Sequence, residues 1–310
     1  MSDRAWSRTV SKWVLGTTGA QEVVAIRTTP MAVGAAAFAI ERLEVDVRHS
    51  NGALETTALV VKRTWAHEIL GLHAAQAVRA ETNAIPELIG SGKAGPESWL
   101  VSLFFEGHNP NESEVPEAIM DALAHLHVYW CARWETLHGI PVIDSTWWTG
   151  VCLDYSLPQL DQLASHAPGP AFDRAREFLH EVARDDVAVR VLDGLPRTLL
   201  HGDVRTDNTL VTSTDAVLVD WGSARIGPVS LDLSHVARQG TRQFTAYCDS
   251  WQDLTGTRLD PTTIERGFKW AALQNPVQAL GWIAEHWGPD ALDGAVLQAS
   301  QALDDLRALG

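Results

Sequence analysis

The chain has 310 residues, 45% of them hydrophobic and 20% charged, which suits one large or two modest domains and excludes a disordered chain. With 24 Lys and Arg against 39 Asp and Glu, the formal net charge is −15. Such a surface repels phosphate backbones, which excludes nucleic acid as the main partner, while it tolerates a cationic small molecule.

The opening segment MSDRAWSRTV has no apolar core or cleavage site of the secretory kind. The longest nearly unbroken apolar run, Met31 to Ile40, is about half of the roughly 18 residues a membrane helix needs, so no membrane segment is expected. Cys131, Cys152 and Cys248 are scattered and odd in number. They read as free thiols in a reducing, cytoplasmic setting.

In chain order, strands are predicted at 22–27, 38–48 and 59–62. The second alternates Leu43, Val45 and Val47 on one face with Glu44, Asp46 and Arg48 on the other. Asn51-Gly52 marks the turn toward the third. A helix is expected over 66–79 and a strand over 99–105, followed by a polar stretch at 108–114. Near residue 107 the composition changes and the chain becomes mostly helical. Ile119, Leu123, Leu126, Trp130, Trp134 and Leu137 recur at helical steps after Pro116. Further helices are expected at 158–163, 172–191, 263–273, 277–286 and 291–309, with Pro276 and Gly288-Pro289 as the breaks between the last three. Short strands are expected at 199–200, 209–211 and 217–219. Trp147-Trp148 falls in a loop-like stretch and is a candidate ring pair for an acceptor pocket.

The segment with chemistry is Leu199-Leu-His-Gly-Asp-Val-Arg-Thr-Asp-Asn-Thr-Leu-Val211, then Val217-Leu-Val-Asp-Trp-Gly222. Phosphoryl transfer needs a carboxylate to aim the attacking hydroxyl and accept its proton. It also needs a second carboxylate and an amide oxygen to hold metal ions beneath a triphosphate. Asp203, Asp220 and Asn208 fit those roles in that order. A hairpin of the two short strands would bring Asn208 and Asp220 to one end, beside Asp203.

His201-Gly-Asp-x-x-x-x-Asn208 with Asp220-x-Gly222 resembles the signature of the aminoglycoside phosphotransferase and choline kinase group, and Gly227-Pro-Val-Ser-Leu-Asp232-Leu233 matches its further G-x-x-x-x-D-L run. The motif-grade likeness covers 199–233, and the layout of roughly residues 20 to 300 is similar. The resemblance implies an α+β, bilobal, protein-kinase-like fold with a small β-rich N-lobe (1–106) and a larger, mainly helical C-lobe (107–310). It implies an enzyme that moves the γ-phosphate of ATP, with GTP left open, to a hydroxyl of a small molecule using Mg²⁺. Acceptors of that group include aminoglycosides, amino alcohols such as choline, and sugars; the acidic balance leans toward a cationic one.

By the same resemblance, Leu59-Val-Val-Lys62 is similar to the strand whose Lys grips the α- and β-phosphates, and Glu68, ahead of Glu81, is the carboxylate that holds it. Pro30–Phe38 stands where the nucleotide lid would be, with Gly34 as its one glycine. Residues 101–106, including Phe104, correspond to the hinge strand beside the base. Asp232 is implied to brace the catalytic loop, and His201 to serve it structurally. Arg205 is either a cation for the moving phosphoryl group or a partner of a nearby carboxylate such as Asp207. The rival reading is a kinase-like binding protein without catalysis; it predicts a missing Lys, base or metal ligand, and each of these is present in the sequence.

Overall fold

The computed structural model describes residues 5–32, 37–110, 114–166 and 168–309. The expected lid residue Gly34 lies outside them. Helix α1 (Ser7–Thr18) leads into a five-stranded antiparallel sheet of β1 (Glu22–Pro30), β2 (Ala37–Arg48), β3 (Leu54–Thr64), β4 (Leu88–Ala94) and β5 (Glu97–Leu103), in the order β1-β2-β3-β5-β4. The alternation in β2 does what it predicts. Leu43, Val45 and Val47 are fully buried and pack with Leu59, Val61, Trp99 and Val101 against Val10 and Val14 of α1. Burying each such side chain contributes about 1.5–3 kcal/mol.

The opposite face of β3 carries Lys62, paired in register with Ile40 and Leu100. Helix α2 (Ala66–Ala75) packs there, with Leu72, Ala75 and Leu100 joining Leu126, Trp130, Leu199 and Trp221 in a second core that ties the sheet to the helical half. Gly71 is required in α2, because a Cβ there would stand 2.2 Å from the Cβ of Ala224. That close approach seats α2 against the turn that follows Asp220.

The second half begins with α3 (Glu117–Cys131) and α4 (Ser145–Gly150), then α5 (Leu157–His166), α6 (Pro170–Val182) and α7 (Asp186–Gly194). Strand β6 (Thr198–Leu200) pairs with β9 (Arg225–Gly227), and between them lies the hairpin of β7 (Thr209–Val211) and β8 (Ala216–Leu218). Helices α8 (Ser230–Leu233), α9 (Arg242–Thr255), α10 (Pro261–Trp287) and α11 (Pro289–Arg307) complete the chain. Among the described residues no helix is long and apolar enough to cross a membrane.

Three expectations from the sequence need correction. The single helix at 172–191 is two, because Asp185 accepts the N–H groups of Val187 and Ala188 and starts α7 afresh. Pro276 does not end a helix: α10 runs through it, with Pro276, Val277 and Leu280 buried in the main helical core. Trp147-Trp148 is helical, in α4, rather than loop, and Trp148 is fully buried with its ring N–H bonded to Val182 O at 3.1 Å, so it packs the core, whereas Trp147 is partly buried.

Candidate functional site

The 201–208 loop is held from beneath by one buried carboxylate. Asp232, on α8, accepts the backbone N–H groups of His201 at 2.8 Å and Gly202 at 2.7 Å, and the Nε2 of His127 lies 3.2 Å from it. On the other side of the ring, the Tyr247 hydroxyl lies 2.9 Å from His127 Nδ1. Burial drives the Tyr247 pKa well above its ordinary value, which keeps that hydroxyl a donor. Burial alone would raise the Asp232 pKa, but the His127 and Gly202 hydrogen bonds outweigh it and hold the carboxyl ionised below its usual range.

His201 has both ring nitrogens engaged. Nε2–H donates to Val219 O at 3.0 Å, and Nδ1 accepts the Asp203 N–H at 3.3 Å. Burial lowers its pKa. A neutral ring with no free nitrogen is a poor base and a good strut. Gly202 has φ +83°, and a Cβ there would meet Ser223 O at 2.1 Å. The glycine of the His-Gly-Asp run is therefore dictated by the close passage of the 223–225 backbone. Arg225 closes the contact from the other side, donating to Ser223 O and Gly202 O, each at 3.0 Å, with its guanidinium 6.0 Å from the Trp147 ring centre.

Asn208 turns back on Asp203. Its Nδ2 donates to Asp203 O at 2.9 Å and to Asp203 Oδ2 at 2.8 Å. The amide's donor end is thus committed, which leaves Oδ1 as its remaining acceptor. Asn109, in the polar stretch after residue 107, donates to Thr206 O, Asp207 O and Thr209 O at 3.1, 2.9 and 3.0 Å. Nothing in the sequence marked Asn109 or Arg225 for these bracing roles; each is a lone polar residue whose partners are backbone carbonyls distant in sequence.

Lys62 reaches across from β3. Its Nζ lies 2.7 Å from Glu68 Oε1 and 2.6 Å from Asp220 Oδ1. Glu68 is 2% exposed and also accepts the Thr64 hydroxyl. Burial raises its pKa, and Lys62 only partly offsets that. Glu81 is an exposed residue in the turn after α2, so the carboxylate beside Lys62 is Glu68. Asp220 has φ +63°, unique among the described non-glycine residues. Such backbone strain is retained where the surroundings over-determine it, commonly at functional sites. Burial would raise the Asp220 pKa too, but the charge and hydrogen bond of Lys62 prevail and lower it. His67 Nε2 lies 2.7 Å from Gly222 O, fixing α2 to the residues behind Asp220.

Arg205 is exposed, with Nε 3.6 Å from Asp203 Oδ2 and a terminal nitrogen 3.9 Å from Asp207 Oδ2. Phe104 follows β5; its N–H is taken by Ala58 O at 3.2 Å and Arg42 stacks 4.4 Å from its ring centre. The Phe104 N–H is therefore committed to its neighbour strand. The oxygen donors available to a metal are the Asp220 carboxylate and Asn208 Oδ1. Such sparse, all-oxygen ligation fits Mg²⁺, which keeps water and phosphate oxygens in its shell. Among the described residues no cluster of three or more His, Cys, Asp or Glu suits a metal ion.

A β-sheet half carrying a lysine held by a helix carboxylate, above a helical half carrying a braced aspartate loop, defines a phosphotransferase of the protein-kinase-like class. Residues 23–263 match the model of the phosphotransferase enzyme family, and the chain belongs to that family. No curated relative matches in sequence. In structure it is similar to a choline kinase from Cryptosporidium parvum (TM-score 0.55, 10% identity, covering 91% of this chain and 90% of that one). It is also similar to a spectinomycin phosphotransferase solved with ADP and spectinomycin (TM-score 0.53, 10% identity, 96% and 98% covered). Both share the fold. The chain is thus a member of the phosphotransferase enzyme family with a kinase-like fold.

Proposed function

We propose that the protein is a kinase that transfers the γ-phosphoryl group of ATP, with Mg²⁺, to a hydroxyl of a positively charged small molecule. Residues 1–106 form its nucleotide half and 107–310 its catalytic and acceptor half. The observation that carries this reading is the meeting of Lys62, Glu68 and Asp220 beside the Asp203–Asn208 pair. In it, Lys62 holds phosphate oxygens and Glu68 holds Lys62. Asp220 and Asn208 Oδ1 would ligate Mg²⁺, which supplies charge neutralisation at the phosphates. Asp203 orients the acceptor hydroxyl and takes its proton, and Arg205, exposed beside it, is the candidate cation for charge on the moving group. The net charge of −15 supports a cationic acceptor.

The test is acceptor-dependent ADP release from Mg²⁺-ATP, with aminoglycosides, choline and neutral sugars as the panel and GTP as the second donor. Turnover is expected with a cationic acceptor and is lost in Asp203→Asn, which still binds nucleotide. Nucleotide binding without release of ADP on any acceptor would favour a non-catalytic binding protein instead.

A further inference from the structure

The sheet face that carries Lys62 continues toward the end of β5. On it Arg42 pairs in register with Val60, and Ile40 pairs with Lys62. Leu43, Leu59 and Val61 turn the other way, into the core against α1. Val60 therefore stands about 7 Å from Lys62 along β3, one same-face step toward Ala58, whose O takes the Phe104 N–H. Across that step Arg42 lies over Phe104, its guanidinium carbon 4.4 Å from the ring centre. One terminal nitrogen is 3.4 Å from Glu44 Oε1, and the side chain keeps 35% of its surface exposed.

Ile40, Val60 and Phe104 are half-buried, yet none of them joins a hydrophobic core among the described residues. The same holds for Leu210 of β7, two residues beyond Asn208 in the helical half. Apolar side chains that both halves leave outside their cores, beside the Lys62–Asp220 contact, suit the walls of a ligand slot. Arg42 stands among the sheet residues of this set. A guanidinium is planar and weakly hydrated, and it stacks on aromatic faces. Phe104 already takes one side of it.

We infer that Arg42 is a nucleotide-binding residue: a purine base stacks on the open side of its guanidinium, completing a Phe104–Arg42–base sandwich. The inference rests on the reading in which Lys62 holds the phosphates, and it adds the group that holds the base. Val60 and Leu210 contribute apolar contact to the same base. A cation on the face of a ring gains most where water is excluded, which those two side chains help to do. Stacking of this kind tolerates any base, so Arg42 serves adenine and guanine alike.

The experiment is calorimetric titration of the intact protein, wild type and Arg42→Ala, with Mg²⁺-ADP and with Mg²⁺-pyrophosphate, which has the same two phosphates and no nucleoside. Arg42→Ala is expected to weaken ADP at least about fivefold and pyrophosphate less than about twofold. Its thermal midpoint should stay near that of the wild type, because the Glu44 pair it loses is solvent-exposed. Unchanged ADP affinity in Arg42→Ala, or an equal loss for both probes, would overturn the inference while the phosphotransferase reading stands. A wild type that binds neither probe would sink both readings together.

Discussion

Lys62 and Asp220 stand 158 residues apart in sequence, yet Nζ of one lies 2.6 Å from Oδ1 of the other. With Glu68 at 2.7 Å on the same ammonium, the sheet half and the helical half share one partly buried charge cluster. Replacing Lys62 by Met should therefore act twice. It removes the proposed phosphate grip, so kcat/KM should fall by at least about 100-fold. It also leaves Glu68 buried without its counter-charge, a loss of about 3–5 kcal/mol of stability. Lys62→Met/Glu68→Gln should recover much of that stability in urea unfolding and none of the activity.

The two buried carboxylates should titrate with opposite signs. Asp232 has a lowered pKa, so the unfolded chain binds its proton at higher pH than the fold does. Its contribution is full above about pH 5 and is lost as pH falls through and below about 4. Glu68 has a raised pKa, so the fold holds that proton longer and stability declines as pH rises above about 4.3 toward the folded value. Urea unfolding between pH 7 and pH 3 should show a shallower acid loss in Asp232→Asn than in the wild type, from a lower starting stability. Identical acid limbs would show that Asp232 does not carry the charge assigned to it.

Gly202→Ala should be costly for so small a change. It asks an L-residue to adopt φ +83° with its Cβ 2.1 Å from Ser223 O. The expected loss is about 1–3 kcal/mol in stability, with a larger proportional fall in kcat than in nucleotide affinity, read by calorimetry and steady-state assay.

Much of this arrangement was legible because motifs and periodicity are local. The alternation of Leu43, Val45 and Val47 marked the core face of β2, and the spacing of Asp203, Asn208 and Asp220 marked the loop and hairpin. What stayed hidden depended on distant neighbours. Strand β4 reads Leu-Ile-Gly-Ser-Gly-Lys-Ala, a poor strand by composition. Its glycines are there because a Cβ at Gly92 would meet the Trp99 ring at 2.7 Å and one at Gly90 would meet Thr9 at 2.5 Å. Helix α10 continues past Pro276 because packing in the helical core outweighs the missing Ala272 hydrogen bond. Helix α1, by contrast, had a visible signal, Val10 and Val14 at helical spacing, as did α9, which the Thr241 side chain caps at Phe244 N–H.

Arg205 separates catalysis from stability. It is exposed and its contacts with Asp203 and Asp207 are long, at 3.6 and 3.9 Å. Such surface pairs contribute about 0–1 kcal/mol. Arg205→Ala should leave the thermal midpoint nearly unchanged while kcat falls about tenfold or more and the KM for ATP barely moves. An unchanged kcat would assign Arg205 to its carboxylate neighbours alone.

Lys62, Asp220 and Asn208 are proposed to form one Mg²⁺-nucleotide site, and calorimetric titration of ATP with and without Mg²⁺, in wild type and Asp220→Ala, tests that most directly. The wild type should bind ATP at least about tenfold more tightly with Mg²⁺ than without it, and Asp220→Ala should lose that gain. Affinity that ignores Mg²⁺ in the wild type, or a Mg²⁺ gain that survives intact in Asp220→Ala, would contradict the assignment.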